Sequence, residues 1–135
     1  MTTIKIPSAS NDQPEELFVV LCASGFESPE KVRSALMFAT LAASAEYKSI
    51  LYCIQNAVDV MVKGAVEKKE APKEGLPSIR QRLTEALDMG VEIQCCSQTM
   101  ANKGLKEEDL LPGVKVAGAM NLITLATKAR CTLSF

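Results

Sequence analysis

The order of apolar and polar positions along the chain predicts strands that alternate with helices. Leu17 to Cys22 is a continuous apolar run, which is typical of a central parallel strand. Residues 48–54 predict a second strand, and Val91 and Ile93 alternate with polar residues in the period of a third. Two shorter strands are predicted towards the carboxyl terminus, over residues 114–117 and 131–135.

Helical spacing occupies the segments between these strands. Ser28-Pro29-Glu30 opens the first helix, because Ser28 can cap it, Pro29 has the φ of a first turn and Glu30 complements the helix dipole. The helices are predicted over residues 29–43, 56–66, 78–89, 97–103 and 118–128, with a solvated, mobile loop at residues 67–76. The alternation implies right-handed crossovers and an α/β fold, a mainly parallel five-stranded sheet with helices on both faces.

Length and composition indicate one domain with an aliphatic core. The chain has 135 residues, of which 47% are apolar and only 4% aromatic, and this balance suits a parallel sheet buried under helices. Residues 1–14 contain two prolines, two serines and an asparagine, residues typical of loops, so we predict a flexible N-terminal extension before a domain that spans residues 15–135.

Charge and hydropathy exclude several classes of function. The net charge is −1 and the charged residues are interspersed, so a nucleic-acid-binding protein is not expected. The longest apolar runs are too short to cross a membrane, and residues 1–13 lack the apolar centre of a signal peptide. We therefore expect a cytoplasmic protein.

The absence of histidine limits the chemistry further. Without His there is no Ser–His or Cys–His hydrolase mechanism, and nearly all ordinary zinc sites are excluded, so we expect no metal and no cofactor. The five cysteines are odd in number and form no Cys-x-x-Cys pair, which argues against a disulfide framework. A thiolate can still act in thiol–disulfide exchange or sulfane-sulfur transfer, which need little proton shuttling.

The adjacent pair Cys95 and Cys96 falls where the third strand meets the next helix, which Ser97 can cap. Ligands and reactive groups collect at the carboxyl ends of parallel strands, and the start of a helix favours a thiolate. Successive strand residues point to opposite faces, so one cysteine should be packed and the other presented. We predict that Cys96 is presented, and two small buried hydrophobic residues are the alternative.

Cys95 and Ser97, on either side of Cys96, are expected to line the pocket of this site, together with two other strand ends. The turn that contains Ser24 and Gly25 follows the first strand, and Asn56 follows the second. The glycine spacing of the familiar phosphate loops is missing, so this turn is interpreted as pocket lining and not as a nucleotide-binding motif.

Several spaced elements resemble the DsrE/DsrF-like family, small sulfur-relay proteins of bacteria and archaea. In that family a short strand after Gly-Val ends in a cysteine, and a small polar residue and Met come three or four residues later. On this sequence the cysteine is Cys96, and Thr99-Met100 matches the polar residue and the Met. Cys95 is a departure, because family members often have another residue there. The other elements are the Gly25 turn, the Ala-rich first helix, Gly104, Glu108-Asp109-Leu110 and residues 113–118.

The resemblance implies a flavodoxin-like or Rossmann-like sheet without a nucleotide cofactor, and a sulfur carrier or sulfurtransferase that holds a persulfide or thiosulfonate on Cys96. It also implies a homotrimer or hexamer, and a TusA-like sulfur carrier or a paralogous DsrE-type subunit as partner. Two alternatives stay open at this point. One is a non-catalytic interaction subunit, and the other is a thiol redox or sensor protein that uses Cys95 and Cys96 together.

Overall fold

Five parallel strands form one sheet in the part of the chain that the structure describes. This computed structural model describes residues 15–71 and 73–135, so the predicted extension at residues 1–14 lies outside the described residues. The strands are β1 (Leu17–Cys22), β2 (Lys48–Cys53), β3 (Glu92–Cys96), β4 (Lys115–Ala117) and β5 (Cys131–Ser134). Their order in the sheet is β4-β3-β2-β1-β5, and every neighbouring pair is parallel.

Helices connect the strands, as the alternating pattern predicts. They are α1 (Pro29–Ser44), α2 (Asn56–Val60), α3 (Ala65–Lys69), α4 (Ile79–Asp88), α5 (Ser97–Asn102) and α6 (Ala119–Lys128), with a short 3-10 helix at Glu107–Asp109. Ser78 caps α4 with its side chain, which accepts a hydrogen bond from the Gln81 N–H at 3.0 Å.

Helices cover both faces of the sheet. On one face α1 packs against α4, over strand residues such as Val20, Leu51 and Ile93 that belong to the main core. On the other face Gln94, the next residue after Ile93, accepts a hydrogen bond from Asn121 of α6 at 2.8 Å. Because successive strand residues point to opposite faces, α6 lies across the sheet from α1 and α4. The predicted α/β fold class is confirmed.

The prediction of one helix over residues 56–66 is wrong, because α2 and α3 are separate. Between them, Val62 forms an antiparallel bridge with Leu110, and the Lys63 N–H donates to the Asp109 carbonyl at 2.9 Å. Gly64 then has a φ of 78°, a left-handed conformation that glycine adopts without strain. Backbone hydrogen bonds to a distant segment therefore replace those of a continuous helix. The helix α3 also occupies the first residues of the predicted loop at 67–76.

Two serine caps also differ from the prediction. Ser97 is the first residue of α5 and Cys96 is its N-cap, without a side-chain hydrogen bond. Ser28 is the N-cap of α1, but its hydroxyl donates to the Glu30 carboxylate at 3.1 Å and caps no backbone N–H. Neither helix start therefore depends on its serine side chain.

Candidate thiol site at the carboxyl edge of the sheet

Cys96 is the last residue of β3, and α5 begins directly after it. It shares the carboxyl edge of the sheet with the turns that follow β1 and β2. Cys96 is buried, with 6% of the residue exposed to solvent. The geometry therefore places a thiol at the edge where parallel sheets usually hold their sites.

Cys95 lies in a different environment from Cys96. It is fully buried in the main core under α1 and α4, and its register partner in β2 is Cys53. Cys53 in turn pairs with Cys22 of β1, so three buried thiols lie side by side across three strands. A hydrogen bond with Cys95 and burial both raise the pKa of Cys53, and burial raises that of Cys22. These two thiols therefore stay protonated at neutral pH.

The surroundings of Cys96 favour its thiolate. Burial alone would raise the pKa of this thiol, but the N–H groups of Thr99 and Gln98 and the hydroxyls of Tyr52 and Thr99 have the opposite effect on it and together outweigh burial. The pKa of Cys96 is consequently lowered from its ordinary value. The backbone donors belong to the first turn of α5, whose N–H groups have no partner within the helix.

The Tyr52 side chain crosses over β3 beside Cys96. Tyr52 belongs to β2, yet its hydroxyl donates a 2.9 Å hydrogen bond to the carbonyl of Ala117 in β4, one strand beyond β3. Ala117 is the register partner of Cys96, and Tyr52 is that of Gln94. The phenol ring is fully buried on the α6 side of the sheet, on the same face as Gln94 and Cys96.

Thr99 connects this thiol to the turn after β2. The Thr99 hydroxyl oxygen accepts a hydrogen bond from the Gln55 N–H at 3.1 Å, and Thr99 is 8% exposed. Gln55 has a φ of 51° and a ψ of −127°, and the Ala57 N–H bonds back to the Ile54 carbonyl at 3.0 Å. This is a type II′ turn with glutamine at the position that favours glycine.

The structure also locates the other residues that the sequence proposed for the pocket. Gly25 lies against Asn56, since a Cβ at Gly25 would approach the Asn56 carbonyl oxygen to 2.2 Å. The Ser24 carbonyl accepts a weak hydrogen bond from the Cys22 thiol at 3.4 Å. Ser97 is exposed, and its hydroxyl oxygen would lie 3.7 Å from a Cβ at Gly118, the N-cap of α6.

A profile of the DsrE/DsrF-like family matches residues 16–135. The chain belongs to the DsrE/DsrF-like family. An uncharacterized protein of Methanocaldococcus jannaschii is 28% identical over 118 residues, which are 87% of this chain and 98% of that protein. The ychN protein of E. coli has a TM-score of 0.72 at 21% identity, over 90% of this chain and all of that one. A protein of unknown function from Methanobacterium thermoautotrophicum has a TM-score of 0.63 at 18% identity, with the same two coverages.

Membership in the DsrE/DsrF-like family confirms the resemblance that the sequence suggested, and the two solved structures support the fold. In the described residues no group of three or more Cys, Asp or Glu side chains is arranged to hold a metal ion. Nor is any helix in those ranges both long and apolar enough to cross a bilayer.

Sequence reasoning missed the roles of four residues around Cys96, namely Tyr52, Gln55, Gln94 and the side chain of Thr99. Tyr52 lies on the face of Cys96 because of the register between β2 and β3, which periodicity does not give. For Gln94 the available signal was the period of the strand, since Gln94 lies two residues before Cys96. Thr99 matches the polar residue of the family pattern, but that pattern assigns no role to its hydroxyl.

Proposed function

We propose that this DsrE/DsrF-like protein carries sulfur on Cys96, as a persulfide or thiosulfonate, and passes it to a thiol of a partner protein. The observation that supports this role is the contrast among the buried thiols. Hydrogen-bond donors lower the pKa of Cys96, whereas the pKa values of Cys22 and Cys53 are raised. A sulfur carrier needs one thiolate of this kind, because the thiolate is the nucleophile.

The proposed loading step is a displacement at sulfur. The Cys96 thiolate attacks the sulfane sulfur of a donor such as thiosulfate, and a new sulfur–sulfur bond forms at Cys96. The bond between the sulfane sulfur and the rest of the donor breaks, and the leaving group, here sulfite, departs with the electron pair. Transfer repeats the exchange, since a partner thiolate attacks the outer sulfur and Cys96 leaves as a thiolate. No histidine is needed, in agreement with the sequence.

Assembly and partners are a further part of the proposal. The family resemblance implies a homotrimer or hexamer, and a TusA-like carrier or a paralogous DsrE-type subunit as the acceptor. None of the residues of α6 is buried, and its Met120 and Ile123 side chains are 72% and 52% exposed. We assign self-association to this helix, since apolar side chains this exposed are favoured at subunit contacts.

Intact mass spectrometry tests sulfur loading directly. The wild type, Cys95→Ser and Cys96→Ser are incubated separately with thiosulfate, tetrathionate or polysulfide. We expect an adduct of one sulfur or of a thiosulfonate group on the first two proteins and none on Cys96→Ser. Cys95→Ser is the matched control, because it changes the adjacent thiol on the opposite face. Loading that persists in Cys96→Ser would contradict the proposal.

The burial of Cys96 favours one alternative, a non-catalytic interaction subunit. A cysteine that is only 6% exposed offers a sulfur donor little access. If this alternative holds, no donor gives an adduct, and Cys96 reacts with iodoacetamide no faster than it does in the unfolded chain. The same two measurements therefore separate the two functions.

A further inference from the structure

The Tyr52 hydroxyl has two possible acceptors and one proton. It donates to the Ala117 carbonyl at 2.9 Å, and Ala117 is the residue of β4 that pairs with Cys96. To reach β4 from β2 the side chain must pass over β3, so the hydroxyl ends beside the residue that pairs with Cys96, on the face to which the Cys96 side chain points. A tyrosine hydroxyl donates once and accepts through its lone pairs, so it can serve only one of these acceptors fully.

We propose that Tyr52 is a positioning residue for Cys96 whose hydroxyl proton changes its acceptor with the charge on the sulfur. When Cys96 is a thiol, the hydroxyl donates to the Ala117 carbonyl and its oxygen can accept the S–H. When Cys96 is an anion, the proton turns to the sulfur, because a charge-assisted hydrogen bond is stronger than a neutral one. This inference rests on the proposed function, in which the anionic sulfur of Cys96 is the reactive group.

Because Tyr52 is buried, the loss of a hydrogen bond by its hydroxyl is costly. Tyr52 is fully buried, so no water replaces a lost hydrogen bond at low cost. Burial and the neighbouring Cys96 raise the pKa of Tyr52, so the phenol keeps its proton over the range in which a thiol titrates. The residue therefore supplies a donor to the anion without itself becoming charged.

Within residues 15–71 and 73–135, few other ionisable groups are near enough to Tyr52 to affect its hydrogen bonding. Cys53 and Cys95 point to the opposite face of the sheet, into the core under α1 and α4. On the face of Tyr52, the Glu92 carboxylate accepts a hydrogen bond from Gln94 at 2.6 Å. Lys48 and Lys115 approach Glu92 at 3.6 and 3.5 Å, so this charge is already compensated. Asn121 is the polar contact recorded from α6 on this face.

The first test follows the pH dependence of Cys96 alkylation by iodoacetamide, quantified by peptide mapping. In Tyr52→Phe, which removes only the hydroxyl, we expect the midpoint to rise by about 1 pH unit, equivalent to a roughly tenfold slower reaction below the midpoint. Tyr47→Phe is the matched control, since Tyr47 is the only other tyrosine and packs against Phe18 at the opposite end of β2. An unchanged midpoint in a folded Tyr52→Phe protein would overturn the inference.

The second test uses the unmodified side chain and does not depend on how well Tyr52→Phe folds. Tyrosine labelled with ¹³C at Cζ gives two resonances, which Tyr47→Phe assigns. We expect the Tyr52 resonance to move with the Cys96 midpoint in the wild type and to stay fixed over that pH range in Cys96→Ser. A Tyr52 resonance that ignores the titration of Cys96 would overturn the inference.

The results for Tyr52 and the test of sulfur loading at Cys96 can fail independently of each other. Sulfur loading at Cys96 together with an unresponsive Tyr52 resonance would reject the exchange of acceptors and keep the carrier. A wild type that takes up no sulfur from any donor, but whose Tyr52 resonance follows Cys96, would reject the carrier and support the hydrogen bond.

Discussion

At the scale of single residues, Gln55 shows strain beside the thiol site. Its φ of 51° and ψ of −127° belong to the first central position of a type II′ turn, where a side chain is disfavoured. Such conformations cost about 1–3 kcal/mol and persist where surrounding contacts determine them. Here the Gln55 N–H bonds to Thr99, a donor to Cys96, and the following residue lies against Gly25. The turn therefore joins the segments after three strands.

The first prediction at this scale is that Gln55→Gly stabilises the protein. Glycine adopts a positive φ without strain, and the backbone hydrogen bond to Thr99 is kept, so we expect the free energy of unfolding to rise by about 1 kcal/mol. Urea denaturation followed by circular dichroism measures the change. The control Gln98→Gly, in exposed helical backbone of α5, should instead lose about 1 kcal/mol. Equal losses in both variants would contradict the role of strain.

At the scale of elements, the turns after β1 and β2 interlock through Gly25. This glycine is buried, and its N–H donates a hydrogen bond to the Glu27 carboxylate, two residues later, at 2.9 Å. The Asn56 carbonyl occupies the space that a side chain at Gly25 would need. The close approach fixes the start of α2 relative to the first strand, and therefore the position of Gln55 and Thr99.

We predict that Gly25→Ala forces the two turns apart. A Cβ at 2.2 Å from a backbone oxygen cannot be accommodated without movement of the main chain, so we expect a loss of about 1–3 kcal/mol. Gly118→Ala is the matched control, because a Cβ there meets only Ser97 at 3.7 Å. Urea denaturation of both variants checks this, with a change of less than about 1 kcal/mol expected for the control. A Gly25→Ala variant as stable as the control would contradict the interlock.

Also at this scale, the sequence predicts elements better than their contacts. The apolar run at Leu17–Cys22 predicted β1, and the helical spacing from residue 78 predicted α4, because both depend on neighbouring residues. The break between α2 and α3 was not predictable, since it depends on Val62 pairing with Leu110, a residue far along the chain. The same distinction applies to the thiol site. The period of a strand was enough to predict that Cys95 and Cys96 lie on opposite faces, whereas the contact of Tyr52 with β4 could not be predicted without the order of the strands in the sheet.

At the scale of the whole molecule, the two faces of the sheet are covered unequally. The α1 and α4 face holds the main core, with residues such as Leu36 and Leu83 almost fully buried. The opposite face carries α6, of which no residue is buried, attached through the hydrogen bond from Asn121 to Gln94. This helix follows directly from β4, whose Ala117 pairs with Cys96, so a subunit contact on α6 would lie beside the thiol site.

The prediction at this scale concerns assembly through α6. We expect the wild type to self-associate and the double variant Met120→Glu with Ile123→Glu to be monomeric, because charges at an apolar contact must be desolvated without a partner. Light scattering coupled to size-exclusion chromatography measures the molar mass. Met89→Glu is the control, since Met89 is 46% exposed at the end of α4 on the other face.

Comparison of the variants would decide whether α6 is the contact. Loss of assembly in the α6 variant alone would support it, and a wild type that is already monomeric would contradict self-association. If both variants remain assembled, the contact lies on another surface and the assignment to α6 is wrong. Because α6 begins next to the residue that pairs with Cys96, we also expect the monomeric variant to expose the thiol more, measurable as faster alkylation by iodoacetamide.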